Sequence, residues 1–100
     1  MTKLKIGSYV YKYSEEPNVG DNNLLGLCSY PGLEIKIREN LKGTVKKVTI
    51  MHELIHSFYM SVGYRFDNDR DMENTVDIAA NSMVDFINKN KKFFKENFLD

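Results

Sequence analysis

The sequence predicts an α+β fold, in which a small N-terminal sheet of about three strands packs on two main helices. In the first forty residues, apolar side chains alternate with polar ones, which is the period of a half-buried strand. After Gly43 the apolar residues recur at helical spacing instead. The chain has 100 residues, of which 42% are hydrophobic, so we expect one domain over residues 1–100 with a small core.

The first strand is predicted over residues 3–13, where Leu4, Ile6 and Val10 alternate with more polar side chains. Tyr9, Tyr11 and Tyr13 are interpreted as strand-packing residues, with the lining of a substrate groove as the alternative. Residues 14–23 are rich in Pro, Gly, Asp and Asn, which predicts an exposed loop.

Two further strands, residues 24–30 and 33–38, flank a Pro31-Gly32 dipeptide. That dipeptide predicts a turn in which Gly32 takes a positive φ. Residues 33–38 have the most regular alternation of the chain, and we expect the two strands to form a hairpin. If strand 33–38 lies at a sheet edge, its free backbone groups would pair with an extended peptide.

The first helix is predicted between Thr44, as N-cap, and Gly63, as C-terminal stop. Its apolar arc consists of Val48, Met51, Ile55, Phe58 and Val62, with Leu54 at one limit. His52 and His56 fall at the opposite border of that arc, where a site between a core-packed helix and a cleft should lie.

A second helix is predicted to start near residues 69–71, where acidic side chains favour a helix N-terminus. Its apolar stripe is Val76, Ala79, Ala80, Met83 and Ile87. Residues 88–92 are polar and predict a break. A short helical segment, or a continuation of the second helix, follows with Phe93, Phe94, Phe98 and Leu99. Its three phenylalanines are expected to close the core; if exposed, they would mark a partner surface.

Charge and composition argue against several partner classes. Fourteen basic residues balance fourteen acidic ones, so we expect neither nucleic acid nor an anionic membrane as a partner. No apolar run approaches the ~20 residues of a transmembrane helix, and no secretory signal is recognised at the N-terminus. Cys28 is the only cysteine, so no internal disulfide forms, and a cytoplasmic location is expected.

The only two histidines of the chain lie in one HExxH block, residues 52–56. On a helix, positions i and i+4 share a face, so His52 and His56 can bind one metal ion. Glu53 lies beside that face, where its carboxylate can take a proton from a water that zinc has acidified. This combination predicts a zinc-dependent hydrolase with Glu53 as general base.

Catalytic zinc usually takes three protein ligands, and no third histidine exists. The remaining candidates are the acidic residues and Cys28, for which a small buried hydrophobe is the simpler interpretation and a thiol switch on zinc the alternative. Glu73, on the next helix and bordering its apolar stripe, is the best candidate. Asp77, one turn later, is predicted to accept a hydrogen bond from a zinc-bound imidazole.

An oxyanion formed at the site would need a donor, for which Tyr59, Tyr64 and Arg65 are the candidates. Two interpretations stay open at this point. One is a zinc peptidase acting on a protein or peptide; the other is a non-catalytic zinc domain that binds a protein partner. Glu53 favours the first, because a structural zinc site needs no base.

The HELIH block at residues 52–56, followed by ENTVDIA at residues 73–79, resembles the gluzincin arrangement. More narrowly, it resembles the small ImmA/IrrE-type metallopeptidases and related phage-borne proteins. In these, an HELGH-like motif precedes an E-x-x-A-N/D-x-x-A pattern on the next helix. Here Val76 replaces the first alanine and Ile55 the common glycine. The resemblance covers roughly residues 33–87.

The resemblance implies a zincin-like fold and one zinc ion bound by His52, His56 and Glu73. It implies Glu53 as the base and Asp77 as the support of a ligand. Members of that family often cleave a repressor of a mobile element, so it also implies a regulatory protein of a phage or mobile element as substrate, in the host cytoplasm if the chain is phage-encoded.

Overall fold

A computed structural model describes residues 2–99 and shows an α+β fold. Four strands come first, β1 (Thr2–Ile6), β2 (Tyr9–Glu16), β3 (Gly26–Ser29) and β4 (Glu34–Arg38). They are followed by helices α1 (Gly43–Ser61), α2 (Asp69–Lys89) and α3 (Lys91–Phe94), and by a π-helical turn at Lys95–Leu99.

The stretch predicted as one first strand is a hairpin of two, β1 and β2. The turn between them contains Gly7, whose φ is +57°, and Ser8. A positive φ at the first central position is typical of a type II′ turn, whose twist matches that of the strands. Because Ile6 pairs with Tyr9, the core-facing side chains change from Leu4 and Ile6 to the tyrosines of β2 across this turn. Val10, predicted on the same side as Leu4 and Ile6, is therefore 48% exposed, and that part of the prediction is wrong. β2 also extends to Glu16, into the predicted loop, and Val19 of that loop is fully buried.

The strand order is β1-β2-β4-β3, so β4 lies inside the sheet. It pairs in parallel with β2 and antiparallel with β3. The predicted hairpin of the last two strands is confirmed, but the suggestion that residues 33–38 form an edge is wrong. After β2 the chain crosses to the outer position, forms β3 there and returns inside as β4. In the connecting turn Leu33, not Gly32, takes the positive φ, at +57°.

Helix α1 is the middle of three layers. On one side, Ile50 and Leu54 pack on the sheet core, formed by Ile6, Tyr11, Ile35 and Ile37. On the other side, Ile55 packs against Val76 and Ala80 of α2. The contact with α2 follows Val48, Met51, Ile55 and Tyr59, so the predicted arc is wrong at its C-terminal end. Phe58 and Val62 are 43% and 76% exposed.

The predicted C-terminal end of α1 is confirmed, whereas its predicted N-cap is wrong. Gly63, with φ +73°, ends α1 as predicted. Its N–H donates to the Met60 carbonyl and that of Tyr64 to the Tyr59 carbonyl, at 3.1 and 3.0 Å, which is a Schellman motif. Thr44 is not the N-cap, because α1 begins at Gly43 without a side-chain cap.

Helix α2 begins at Asp69, inside the predicted start, and Asn68 caps it: its Oδ1 accepts from the Asp71 N–H at 2.8 Å. Val76 and Ala80 of the predicted stripe are buried, whereas Met83 is 43% exposed and Val84 is buried in its place. The predicted break is confirmed at Asn90. Among residues 2–99, no helix combines the length and apolar character needed to cross a membrane.

The C-terminal aromatic cluster, Phe86, Phe93, Phe94 and Phe98, does not close the core. Phe93 and Phe98 are 51% and 66% exposed, so that prediction is wrong. The rings pack on one another instead, with centroids 5.1 Å apart for Phe94 and Phe98 and 6.1 Å for Phe86 and Phe93. Segment 91–99 follows the end of α2 and does not turn back over the three layers.

Candidate metal centre

Helix α1 brings the two imidazoles together. His52 and His56, one helical turn apart, have their Nε2 atoms 3.1 Å from each other. Their side chains are 18% and 11% exposed, so both lie below the surface but can be reached from it. The i, i+4 spacing of HExxH therefore produces the paired ring nitrogens that the sequence predicts.

The third group comes from α2. One carboxylate oxygen of Glu73 lies 3.3 Å from Nε2 of His52, and the other lies 3.2 Å from Nε2 of His56. Packing of α2 on α1 through Val76 and Ala80 sets this approach, because Glu73 lies one turn before Val76. The convergence of Glu73 with the histidine pair is thus present.

The spacing of these atoms fits a tetrahedral metal ion. Zinc bonds of about 2.0–2.2 Å place two tetrahedral ligand atoms about 3.3–3.5 Å apart. The two Nε2 atoms are 3.1 Å apart, and each lies 3.2 or 3.3 Å from a different oxygen of Glu73. With one ligand atom taken from each of the three residues, all lie within 4.8 Å of one another. Two nitrogens and one carboxylate are also a donor set that zinc accepts.

Asp77 sets the chemistry of one imidazole. Its Oδ1 lies 2.8 Å from Nδ1 of His52, so Nδ1 carries a proton and donates a hydrogen bond to the carboxylate. In the neutral imidazole the lone pair of His52 is then on Nε2, the atom that lies near Glu73 and His56. Three electron-pair donors converge as a result, an arrangement that a cation would stabilise.

Burial favours the neutral form of the second imidazole. It lowers the pKa of His56, although the carboxylate of Glu73 beside it acts in the opposite direction. A metal ligand must be an unprotonated imidazole. The environment of His56 therefore favours the protonation state that coordination requires.

Glu53 is a buried carboxyl group, 7% exposed, next to the three donors. Its pKa is raised from 4.5 to about 7, mainly by burial; His52 acts to lower it, and the carboxylates of Glu73 and Asp77 contribute to the increase. A group that titrates near neutral pH can both accept and return a proton.

The cleft in front of the donors has a volume of about 350 Å³, and strand β3 forms one wall of it. Gly26, Leu27 and Cys28 lie in that wall, and Met72 and Glu73 line the cleft from α2. Burial raises the pKa of the Cys28 thiol to about 12, and Cys28 is not in the group of converging ligand atoms. The wall was not identified from the sequence, although a glycine inside a strand is a signal of close approach by another group.

Tyr59, Tyr64 and Arg65 lie in a neighbouring cavity of about 300 Å³ that shares His56, Met60 and Met72 with the cleft. The two tyrosine rings pack on each other with centroids 5.3 Å apart. None of these three residues lines the cleft that contains Glu53 and Glu73. Their role as oxyanion donors stays a prediction.

Comparison with known proteins adds no family assignment. No protein-family model matches the chain, and no curated protein and no solved structure matches it. The interpretation of the site therefore depends on its geometry and on the motif resemblance.

Proposed function

We propose that the protein is a zincin-like, zinc-dependent peptidase. The observation that carries the proposal is the position of Glu73, whose carboxylate oxygens lie 3.2 and 3.3 Å from the two Nε2 atoms of the HExxH pair. Ligands at this spacing leave one tetrahedral position for water. Glu53, buried beside them, is the group that a hydrolytic site needs and a structural site does not.

A zinc ion held by His52, His56 and Glu73 would acidify a water molecule and polarise the substrate carbonyl. Glu53 accepts the proton of the attacking water and returns it to the leaving amine. Asp77 keeps the proton of His52 on Nδ1 and so keeps its Nε2 free for coordination. The oxyanion donor is proposed to come from Tyr59, Tyr64 or Arg65.

A protein or peptide is the proposed substrate because the cleft is one part of a longer depression. A second cavity of about 290 Å³, lined by Leu25, Val48 and Asp77, shares His52 and Glu53 with the cleft. The cleft, this second cavity and the cavity at Tyr64 adjoin one another and form an elongated groove that fits an extended chain. β3, whose outer side pairs with no strand among residues 2–99, offers backbone groups to such a chain.

The biological setting is proposed from the motif resemblance. It consists of a regulatory protein of a phage or mobile element as the substrate and of the cytoplasm as the location. Zinc is the proposed metal; first-row neighbours accept similar ligands, so elemental analysis has to identify the ion.

The test is Glu53→Gln, with Glu96→Gln as the matched control on the exposed C-terminal turn. Glu53→Gln should keep one zinc per chain and lower cleavage of dye-labelled casein, or of a peptide library, by at least about 10²-fold. Glu96→Gln should cleave like the wild type. Equal cleavage by Glu53→Gln and the wild type would contradict the assignment of the base.

A second candidate function is a non-catalytic zinc domain that binds a protein partner. The exposed aromatic cluster favours it, because Phe93, Phe98 and Leu99 are all more than half exposed. Under this alternative the wild type cleaves no peptide, and Glu53→Gln leaves partner capture unchanged.

A further inference from the structure

We infer that Gly26 is a positioning residue for Glu53: the side chain that Gly26 lacks leaves the space in which the Glu53 carboxylate lies. The inference rests on the proposed function, which makes Glu53 the base. Gly26 is on β3, in the wall of the cleft, and Glu53 is on α1, the helix that packs beneath it.

The space between strand and helix has no room for a methyl group. A Cβ on Gly26 would lie 3.0 Å from Cγ of Glu53, 3.0 Å from its Oε2 and 3.0 Å from Cγ2 of Thr49. Carbon atoms pack best at about 3.5–4.0 Å, so at least one neighbour would have to move.

The neighbour that moves is Glu53. Gly26 is held by pairing with Ile37 of β4, and Leu25 before it accepts a hydrogen bond from the Arg38 N–H at 2.8 Å. Thr49 is held because its hydroxyl donates to the Val45 carbonyl at 2.7 Å. The Glu53 carboxylate has no hydrogen bond within residues 2–99 and is the end of a flexible side chain, so it yields first.

Backbone conformation does not account for a glycine here. The φ of Gly26 lies outside the left-handed region, so an alanine could adopt the same backbone. A glycine inside a strand weakens it, because the unfolded chain has more freedom to lose. The benefit that remains is the space given to Glu53 and to the Thr49 methyl group, and a variant of Thr49 separates the two.

The experiment compares Gly26→Ala with Gly32→Ala. Gly32 also has no positive φ, and the nearest atom to a Cβ there is Cβ of Ser29 at an ordinary 3.5 Å. On a fluorogenic peptide that the wild type cleaves, Gly26→Ala should lower kcat by about 10²-fold with little change in KM, because a displacement of about 1 Å can cost that much. The zinc content per chain and the Tm of Gly26→Ala should match those of Gly32→Ala. If Gly26 had only a structural role, the Tm of Gly26→Ala would fall together with kcat.

A double variant separates the contact with Thr49 from the contacts with Glu53. Adding Thr49→Ser to Gly26→Ala removes the Thr49 methyl but leaves both contacts with Glu53, so kcat should stay low. Full recovery of kcat would assign the defect to Thr49 packing and overturn the inference, and so would a large fall of Tm in Gly26→Ala.

Crystal structures of the wild type and Gly26→Ala test the positioning without turnover. We expect the Glu53 carboxylate to be displaced by about 1 Å or more, the scale at which catalysis suffers. An unmoved carboxylate, or an unchanged kcat, would overturn the role of Gly26 and leave the peptidase proposal intact. A wild type without zinc and without cleavage would instead overturn the peptidase proposal and, with it, the catalytic meaning of Gly26.

Discussion

At the scale of single residues, Glu53 is the side chain whose environment most needs an explanation. Acidic residues are almost never fully buried unless they are paired, yet Glu53 is 7% exposed and its burial raises its pKa to about 7. In the metal-free protein this burial destabilises the fold at neutral pH. A nearby divalent cation would favour the ionised form again.

The first prediction concerns Glu53→Gln in the presence of a chelator. The folded-state pKa is raised from 4.5 to about 7, so the contribution of Glu53 to stability is present below pH 4.5 and is lost as the pH rises through 7. A glutamine does not ionise, so its advantage in unfolding free energy should be small at pH 5 and approach about 3 kcal/mol at pH 8.

Urea denaturation of both proteins at the two pH values measures this difference. An advantage that is the same at pH 5 and pH 8 would contradict the shifted pKa of Glu53.

Some residues of the site could be predicted from the sequence, and others could not. His52, Glu53 and His56 follow from helical spacing, and Glu73 follows from its place beside an apolar stripe, so their meeting was predictable. Gly26 and Cys28 were not predictable as walls of the cleft, because they arrive through strand order and not through spacing along the chain. Tyr59, Tyr64 and Arg65 were correctly predicted to lie near the site. They line a cavity beside the cleft, and the spacing of residues along the sequence does not distinguish that cavity from the cleft.

At the scale of elements, α2 is the part on which the third ligand depends. Its first turn is held by Asn68, whose side chain accepts from the Asp71 N–H at 2.8 Å, and Glu73 follows in the next turn. Glu73 can meet the histidine pair only if this part of the helix is formed.

The second prediction follows from that cap. Asn68→Ala should lower the unfolding free energy by about 1 kcal/mol, since it removes an N-cap. The matched control is Asn81→Ala in the middle of α2, where the side chain donates to the Asp77 carbonyl and is exposed. Alanine is the better helix former there, so the control should lie within about 0.5 kcal/mol of the wild type. Thermal or urea unfolding measures both, and equal losses would contradict the capping role.

The elements themselves were partly predictable. The two long helices, the Gly63 stop and the β3–β4 hairpin follow from local patterns that act within a few residues. The Gly7 turn was missed because Leu4, Ile6 and Val10 keep one alternation along the sequence. The turn changes the core-facing positions from even to odd numbers and leaves Val10 exposed. The inner position of β4 was not predictable, because the alternation of residues 33–38 fits an edge strand and an inner strand equally well.

At the scale of the whole molecule, the order of the three layers explains where the cleft lies and why the predicted apolar arc of α1 is partly wrong. α1 buries one face on the sheet and another on α2, so the single apolar arc expected for a two-layer packing could not describe it. The same order places the cleft between β3 and α2, with the HExxH face of α1 at its base. The aromatic cluster lies beyond these layers and stays exposed.

In this arrangement the proposed zinc ion would join two layers, because its ligands come from α1 and α2. The most direct test is elemental analysis of the purified wild type and of Glu73→Ala, with Glu96→Ala as the control. We predict one zinc per chain in the wild type and in the control, and less than one-tenth of that in Glu73→Ala under the same dialysis. A wild type without metal, or a Glu73→Ala variant with undiminished zinc, would contradict the account.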